Sequence, residues 1–327
     1  MKALFISPDF FSYKNSLIQA FEFLGYEVHW INHIPNNSPI VKAFSRKLTK
    51  VTEFFFESYY KNKINFDDDY DVVFVIKGEG ISANLLKYIR NRMPKAKYIF
   101  YNWDSLDNSK FALKKLSIFD KCFTFDFNDS ISEPLLTFHP LFYTFDTTDV
   151  LECDYKENIF ACSFIGTLHS ERYKLVNEIA KQVGIKTKTN NNFIYFYYPS
   201  RFFFLVNKYF LGKFKDVTFK SVKFEPLSYK DVKTIMASSN YIIDIPNTDQ
   251  SGLTMRVFEA LGLKRKLITT ASSIENYDFY DANNIIIYKD IESEIDFNLS
   301  SYNELPKEIY DKYNVISWLE FMLKNEN

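Results

Sequence analysis

Residues 250–270 read QSGLTMRVFEALGLKRKLITT. Taken as a helix at about 100° per residue, Gly252, Arg256 and Glu259 share one narrow sector, and Leu253, Val257 and Leu261 share another that can pack on a sheet. A glycine in the first turn lets a ligand approach the backbone. The hydroxyls of Ser251 and Thr254 and the free N–H groups add donors, and the helix dipole favours an anion there. Arg256 can fork two phosphate oxygens, and Glu259, a turn further, can accept from vicinal hydroxyls such as those of a ribose. Phosphate at the helix start with sugar deeper along the face describes a nucleotide diphosphate. The competing reading is a surface ion pair between Arg256 and Glu259, worth about 0.2–0.5 kcal/mol.

Two further stretches carry the same chemistry. In CSFIGTLHSERYKLV a strand ends at a turn of Gly166, Thr167, His169 and Ser170, and the helix beyond carries Arg172. Such a turn binds anions, or is an ordinary strand–helix turn with Ser170 as its cap and Arg172 solvated. In YIIDIPN, Asp244 ends an apolar strand, where it either serves a ligand or caps the following turn. In the N-terminal half, SPDFFSYKN offers Asp9, Tyr13 and Lys14, IKGEG offers Lys77 and Glu79, and YNWDSLDN offers Asp104 and Ser105. A base that deprotonates an acceptor hydroxyl can be any of these carboxylates, and each can equally be a capping or solvated group. Asp104, directly after a tryptophan at a strand's end, is the first choice, followed by Glu79 and Asp9.

These residues fall at the ends of alternating strands and helices. KALFI, the helix SLIQAFEFLG and YEVHWIN open the chain as a βαβ unit, and YDVVFVI, AKYIFYNW and DKCFTFD continue it. Short apolar runs of this kind suit a doubly wound parallel sheet buried on both faces. The predicted first domain covers residues 1–140. A linker with clustered acids covers 141–157, and the pattern restarts with IFACSFIG for a second domain over 158–304. One helix over about 305–325 ends the chain, within a terminal segment 305–327. Two such α/β domains place a crevice at the carboxyl ends of their strands, where open sheets bind ligands.

Composition narrows the classes. The formal net charge is −1, so no global field recruits nucleic acid, and no nucleic-acid partner is expected. Cys122, Cys153 and Cys162 are odd in number and lack CxxC spacing, as in reduced thiols of a cytosolic protein. His29, His33, His139 and His169 lack metal-ligand spacing, DDDYD at 67–71 precedes its strand, and no obligatory metal or other cofactor is expected. No run reaches about 18 apolar residues. Two basic-aromatic stretches, SRFFFLVNKYFLGKFKDVTFK and VKAFSRKLTKVTEFFFESYYKNK, either lie at a membrane interface or pack their aromatic faces on their own domains.

With FIGTLHSERY, YIIDIPN, SGLTMRVFEALGLKRKLITT, NYDFYDANNIIIY, VIKGEG and YNWDS in view, most of the chain resembles the bacterial glycosyltransferases of GT-B architecture. The resemblance is to those of lipopolysaccharide and capsule biosynthesis, and among them to the CgeB-like branch. It implies an α/β chain of two Rossmann-like doubly wound domains facing a central cleft, with a C-terminal helix crossing back onto the first. It implies transfer of a sugar from a nucleotide-sugar donor to a hydroxyl of a glycan or lipid-linked glycan, and with no metal-ligand pattern in the sequence that transfer is expected to be metal-independent. The thiols point to the cytoplasm, and peripheral contact at the inner membrane is expected only if the basic-aromatic stretches lie at a membrane interface. Gly166, Thr167 and Arg172 match the family's first-strand loop, Gly252, Thr254 and Arg256 its diphosphate loop, and Glu259 its ribose-binding acid. Retaining members carry two glutamates eight positions apart on this helix; here the first position is Ser251, which leaves the stereochemical outcome open. The other readings are a non-catalytic scaffold that binds a glycan or partner protein, and a different use of the cleft, such as an epimerase or a phosphosugar-transferring enzyme.

Overall fold

The computed structural model describes residues 1–9, 13–35, 49–109, 111–144, 159–247, 250–297 and 299–324. The chain folds as two compact units. The first comprises Met1–Leu141, Asp249–Gly252 and Val315–Asn327, and the second Phe142–Thr248 and Leu253–Asn314. Most of the expected 141–157 linker, like Cys153 and the start of the stretch VKAFSRKLTKVTEFFFESYYKNK, lies outside the described residues.

In the first unit the strands are β1 (Lys2–Ser7), β2 (Glu27–Asn32), β3 (Val72–Ile76), β4 (Lys97–Asn102), β5 (Lys121–Thr124) and β6 (Thr137–Phe138). They form one sheet in the order β2-β1-β3-β4-β5-β6, with every pairing parallel. The run VVFVI is buried along its whole length, as a central parallel strand covered on both faces must be. Leu85, Leu86 and Ile89 of the helix Ala83–Arg92 cover one face, and Ser82 caps that helix by accepting from Leu85 N at 3.1 Å. Aromatic rings fill the other face: Phe5 against Phe21 at 5.5 Å, and Tyr101 against Trp318 at 4.8 Å. Trp318 belongs to the helix Val315–Leu323, and its indole N–H donates to the Pro140 carbonyl at 2.8 Å.

The predicted single C-terminal helix is two, Lys307–Tyr313 and Val315–Leu323, in different units. Asn314 between them is extended (φ −69°, ψ 145°) and forms a β-bridge with Tyr143, so the helical hydrogen-bond ladder stops there. The helix Phe127–Ser132 and the short β6 also exceed the sequence expectation.

The second sheet contains β7 (Phe160–Thr167), β8 (Phe193–Tyr197), β9 (Val222–Lys223), β10 (Ser239–Asp244), β11 (Lys266–Thr269) and β12 (Ile285–Ile287), all parallel, in the order β12-β11-β10-β7-β8-β9. Strand order reverses between β7 and β10, which is the topological switch point of a doubly wound sheet. The quoted helix spans Met255–Gly262 and buries Val257, Phe258, Ala260 and Leu261.

Candidate functional site

The site forms where β7 and β10 part. β10 delivers Asp244, which is fully buried and accepts three side-chain hydrogen bonds. Thr254 Oγ1 and Arg256 Nη1 donate to its Oδ1 at 2.7 and 2.6 Å, and Thr269 Oγ1 donates to its Oδ2 at 3.2 Å. A buried carboxylate with no such donors would carry a large desolvation penalty. Here it anchors Arg256, and Arg256 continues across the switch point to donate from Nη2 to the Ile165 carbonyl at 2.7 Å. Thr254 is the N-cap residue by backbone position, and its hydroxyl serves Asp244.

A second guanidinium joins it. Arg172, in the first turn of the helix Ser170–Thr187, donates from Nη1 to the Thr167 carbonyl at 2.9 Å. The two arginines thus grip the carbonyls on either side of Gly166. A side chain at Gly166 has no room, since a Cβ there would lie 2.8 Å from Phe164 Cζ and 2.9 Å from Arg256 Nη2. The Arg172 guanidinium is brought down to about 10, chiefly by burial and then by Arg256, with Asp244 acting against both. Its Nε is buried and meets no acceptor among the described residues. His169 stands at the same helix start, its imidazole held below the ordinary 6.5 by partial burial and then by Arg172. Two cations therefore face one carboxylate, at the carboxyl ends of parallel strands and two helix starts. Guanidiniums and helix N-termini gathered there favour an anion.

Gly166, Thr167, His169, Arg172, Asp244, Thr254, Arg256 and Glu259 all belong to this unit, and Glu259 is buried in the helix Met255–Gly262. Arg256 forms an ion pair with Asp244 at 2.6 Å.

Ser251 and Gly252 differ from expectation. They precede the helix, belong with the first unit, and already hold an anion of the protein's own. Asp126 Oδ2 accepts from Ser251 N at 2.7 Å and from Gly252 N at 3.2 Å, and Asp126 Oδ1 accepts from the Ser251 hydroxyl. A Cβ at Gly252 would lie 2.5 Å from Phe125 Cδ2 and 2.6 Å from the Phe125 carbonyl oxygen, so this glycine serves close packing of the protein on itself.

The first unit gathers its own polar groups at strand ends. Lys77 pairs with Asp104 at 3.0 Å and stands 3.8 Å from Glu79. Lys77 and Gly78 both have left-handed backbones (φ 63° and 59°), which turn the chain sharply after β3. Asp104 Oδ1 also accepts from Ser105 N and Asn108 Nδ2, at 3.0 and 3.2 Å. Asp9 pairs with Lys14 at 3.0 Å, and Tyr13 packs on Trp103 at 5.9 Å.

Two acids escaped the sequence reading. Asp126 caps the helix Phe127–Ser132 by accepting from Asn128 N and Asp129 N, and a D-x-x-D spacing just after an apolar strand was the available signal. Asp129 is pushed up to about 6, chiefly by burial and also by Asp126, Asp107 and Asp104, with the Leu106 N–H it accepts from acting against them. A carboxyl titrating there is suited to exchanging protons near neutral pH. Among the described residues no group of three or more His, Cys, Asp or Glu side chains is placed to hold a metal ion.

No protein-family model and no curated protein matches the chain. Solved structures do. A UDP-N-acetylglucosamine 2-epimerase from Rickettsia bellii shares 10% identity with a TM-score of 0.50, over 98% of this chain and 95% of that one. The UDP-GlcNAc 2-epimerase of Methanocaldococcus jannaschii, solved with UDP-GlcNAc and UDP, shares 17% identity with a TM-score of 0.48, over 100% and 94%. A point mutant of S. aureus TarM, solved with fondaparinux, alpha-GlcNAc-glycerol and UDP, shares 12% identity with a TM-score of 0.47, over 81% of this chain and 57% of that one. The likeness is one of fold: the chain has a GT-B-like α/β architecture of two Rossmann-like, parallel-sheet units.

Proposed function

We propose that the chain is a glycosyltransferase that takes its sugar from a nucleotide diphosphate, with the donor held by the second unit. The observation that carries this reading is the convergence of Arg172 and Arg256 on the carbonyls flanking Gly166, over the single carboxylate of Asp244. In glycosyl transfer the bond from the anomeric carbon to the diphosphate oxygen breaks, and the leaving group takes the electron pair. Fixed guanidiniums and helix N–H groups stabilise that developing charge without reorganising. Glu259 is assigned the ribose hydroxyls, and Thr254, Thr167 and His169 the phosphate rim. The acceptor hydroxyl forms the new bond and gives its proton to a general base, for which Asp104 is the first candidate, with Glu79, Asp9 and Asp129 as the alternatives. The acceptor class assigned is a bacterial surface glycan of lipopolysaccharide or capsule type, on the strength of the sequence motifs.

A thermal-shift and calorimetric screen of nucleoside diphosphates and their sugars tests the donor site, with UDP-sugars tried first. A true donor at 100 times its Kd should stabilise the wild type by about 2.7 kcal/mol. Glu259→Gln should lose most of that gain. Absence of any shift or heat, with or without divalent metal, would sink the reading. Product analysis then separates the uses: an epimerised sugar from donor alone would replace transfer by epimerisation. Binding without turnover on any acceptor would make the chain a scaffold.

A further inference from the structure

The helix Arg201–Tyr209 is built inside out. Phe204 points inward and is fully buried, stacked on Phe214 at 5.7 Å and edge-on to Tyr198 at 5.8 Å. At about 100° per residue, Phe202, Phe203, Val206, Tyr209 and Phe210 occupy the opposite arc. Phe202 is 68% exposed and Phe210 84%, with Tyr209 and Leu211 similarly open. The polar residues of the helix are the ones engaged by the protein itself. Asn207 Nδ2 donates to the Tyr198 hydroxyl at 3.0 Å, and Lys208 Nζ donates to the carbonyls of Phe214, Lys215 and Val217 at 3.2, 3.3 and 2.5 Å. Those bonds close the loop after the helix, which turns through left-handed Gly212 and Phe214 (φ 63° and 59°). The aromatic face is therefore held outward by specific structure.

Its surroundings carry one sign of charge. Between Ser200 and Phe224 there are six basic residues and one acid, Asp216, while the whole chain has a net charge of −1. Asp216 is already paired with Lys174 at 2.9 Å, and Lys213, Lys215, Lys220 and Lys223 are exposed. Contiguous exposed aromatics rimmed by lysines match a lipid surface, with rings at the acyl boundary and ammonium groups at the phosphates. In the described part of the other basic-aromatic stretch Phe56 and Tyr60 are buried in the first unit and Phe55 is exposed.

We propose that the helix Arg201–Tyr209 and the loop to Lys223 form a docking surface for an anionic lipid bilayer, independent of the nucleotide reading.

Co-sedimentation of the full chain with phosphatidylcholine vesicles, with and without phosphatidylglycerol, tests this. The wild type should pellet with the anionic vesicles and should be released as salt shortens the Debye length from about 10 to about 3 Å. Phe202→Ser/Phe210→Ser should weaken binding about tenfold or more, and Lys213→Glu/Lys215→Glu should do the same without touching the core. Circular dichroism melts confirm that both variants fold. Wild type that stays in the supernatant with anionic vesicles at low salt overturns the proposal. So does self-association in the absence of lipid that the phenylalanine variant abolishes, because a second copy would then be what covers the patch.

Discussion

Arg256 reaches from its helix to Asp244 at 2.6 Å, joining a guanidinium still 17% exposed to a carboxylate that is wholly buried. The pair sets the direction of Arg256, whose other nitrogen then falls on the Ile165 carbonyl. Arg172 stands close enough for the Arg256 charge to hold its guanidinium down.

Removing Asp244 should therefore cost more than its hydrogen bonds alone. Asp244→Ala strips Arg256, Thr254 and Thr269 of their shared acceptor and leaves two cations without a carboxylate. Breaking a buried pair from one side costs about 3–5 kcal/mol, and the partial exposure of Arg256 points to the lower end. Urea denaturation measures it. A loss below about 1 kcal/mol, the scale of a surface pair, would mean that Asp244 anchors nothing.

Gly252→Ala and Gly166→Ala should fail in different ways. At Gly252 the added methyl meets the Phe125 carbonyl, which cannot yield without moving backbone, and about 1–3 kcal/mol of stability should go. At Gly166 the nearest groups are the Phe164 ring and the tip of Arg256, so a shifted guanidinium should weaken nucleotide binding more than it lowers Tm. Equal losses of stability in both variants would contradict this distinction.

Asp126→Ala should loosen the segment before the quoted helix. Two N-terminal N–H groups of the helix Phe127–Ser132 lose their cap, and Ser251 N and Gly252 N lose their acceptor. The cap alone is worth about 1 kcal/mol, and buried donors left unpaired cost about 1–3 kcal/mol more. Hydrogen exchange should quicken at Ser251 and Gly252 specifically. Unchanged protection there would show that Asp126 is only a cap.

Asp129 gives the pH dependence. Its folded value of about 6 lies above the ordinary 3.8, so the folded state favours the protonated form. That contribution is fully present below about pH 3.8 and is lost as pH rises through about 6. The shift corresponds to about 3 kcal/mol at full value, reduced to about 1–2 kcal/mol because the group is partly solvated. Between those pH values the wild type should lose stability relative to Asp129→Asn. Parallel stability curves for the two proteins would refute the assignment.

The strands of both units were legible because runs such as VVFVI and SNYIID are short, apolar and bounded by turns. Gly166 was legible as a turn glycine, and Arg172, Asp244 and Arg256 as polar residues at strand ends and helix starts. Their ion pair was not, because Asp244 and Arg256 lie on different elements and the sequence shows only the i, i+3 partner Glu259. The role of Gly252 was hidden for a similar reason. Its neighbours Phe125 and Asp126 lie more than a hundred positions away in the chain, and an open glycine and a tightly packed one read alike. At Asn314 the periodicity of the flanking residues runs on unbroken, and only the bridge to Tyr143 ends the helix there.

Calorimetric titration of nucleoside diphosphates and their sugars into the wild type and Arg172→Ala tests the central claim most directly. One nucleotide should bind the wild type, with affinity rising as pH falls, because a bound anion lifts the depressed His169 and takes up a proton. Arg172→Ala should bind it at least about tenfold more weakly while remaining folded. If no nucleotide binds the wild type, or if Arg172→Ala binds equally well, the two arginines serve the fold alone and the donor site is not where this account puts it.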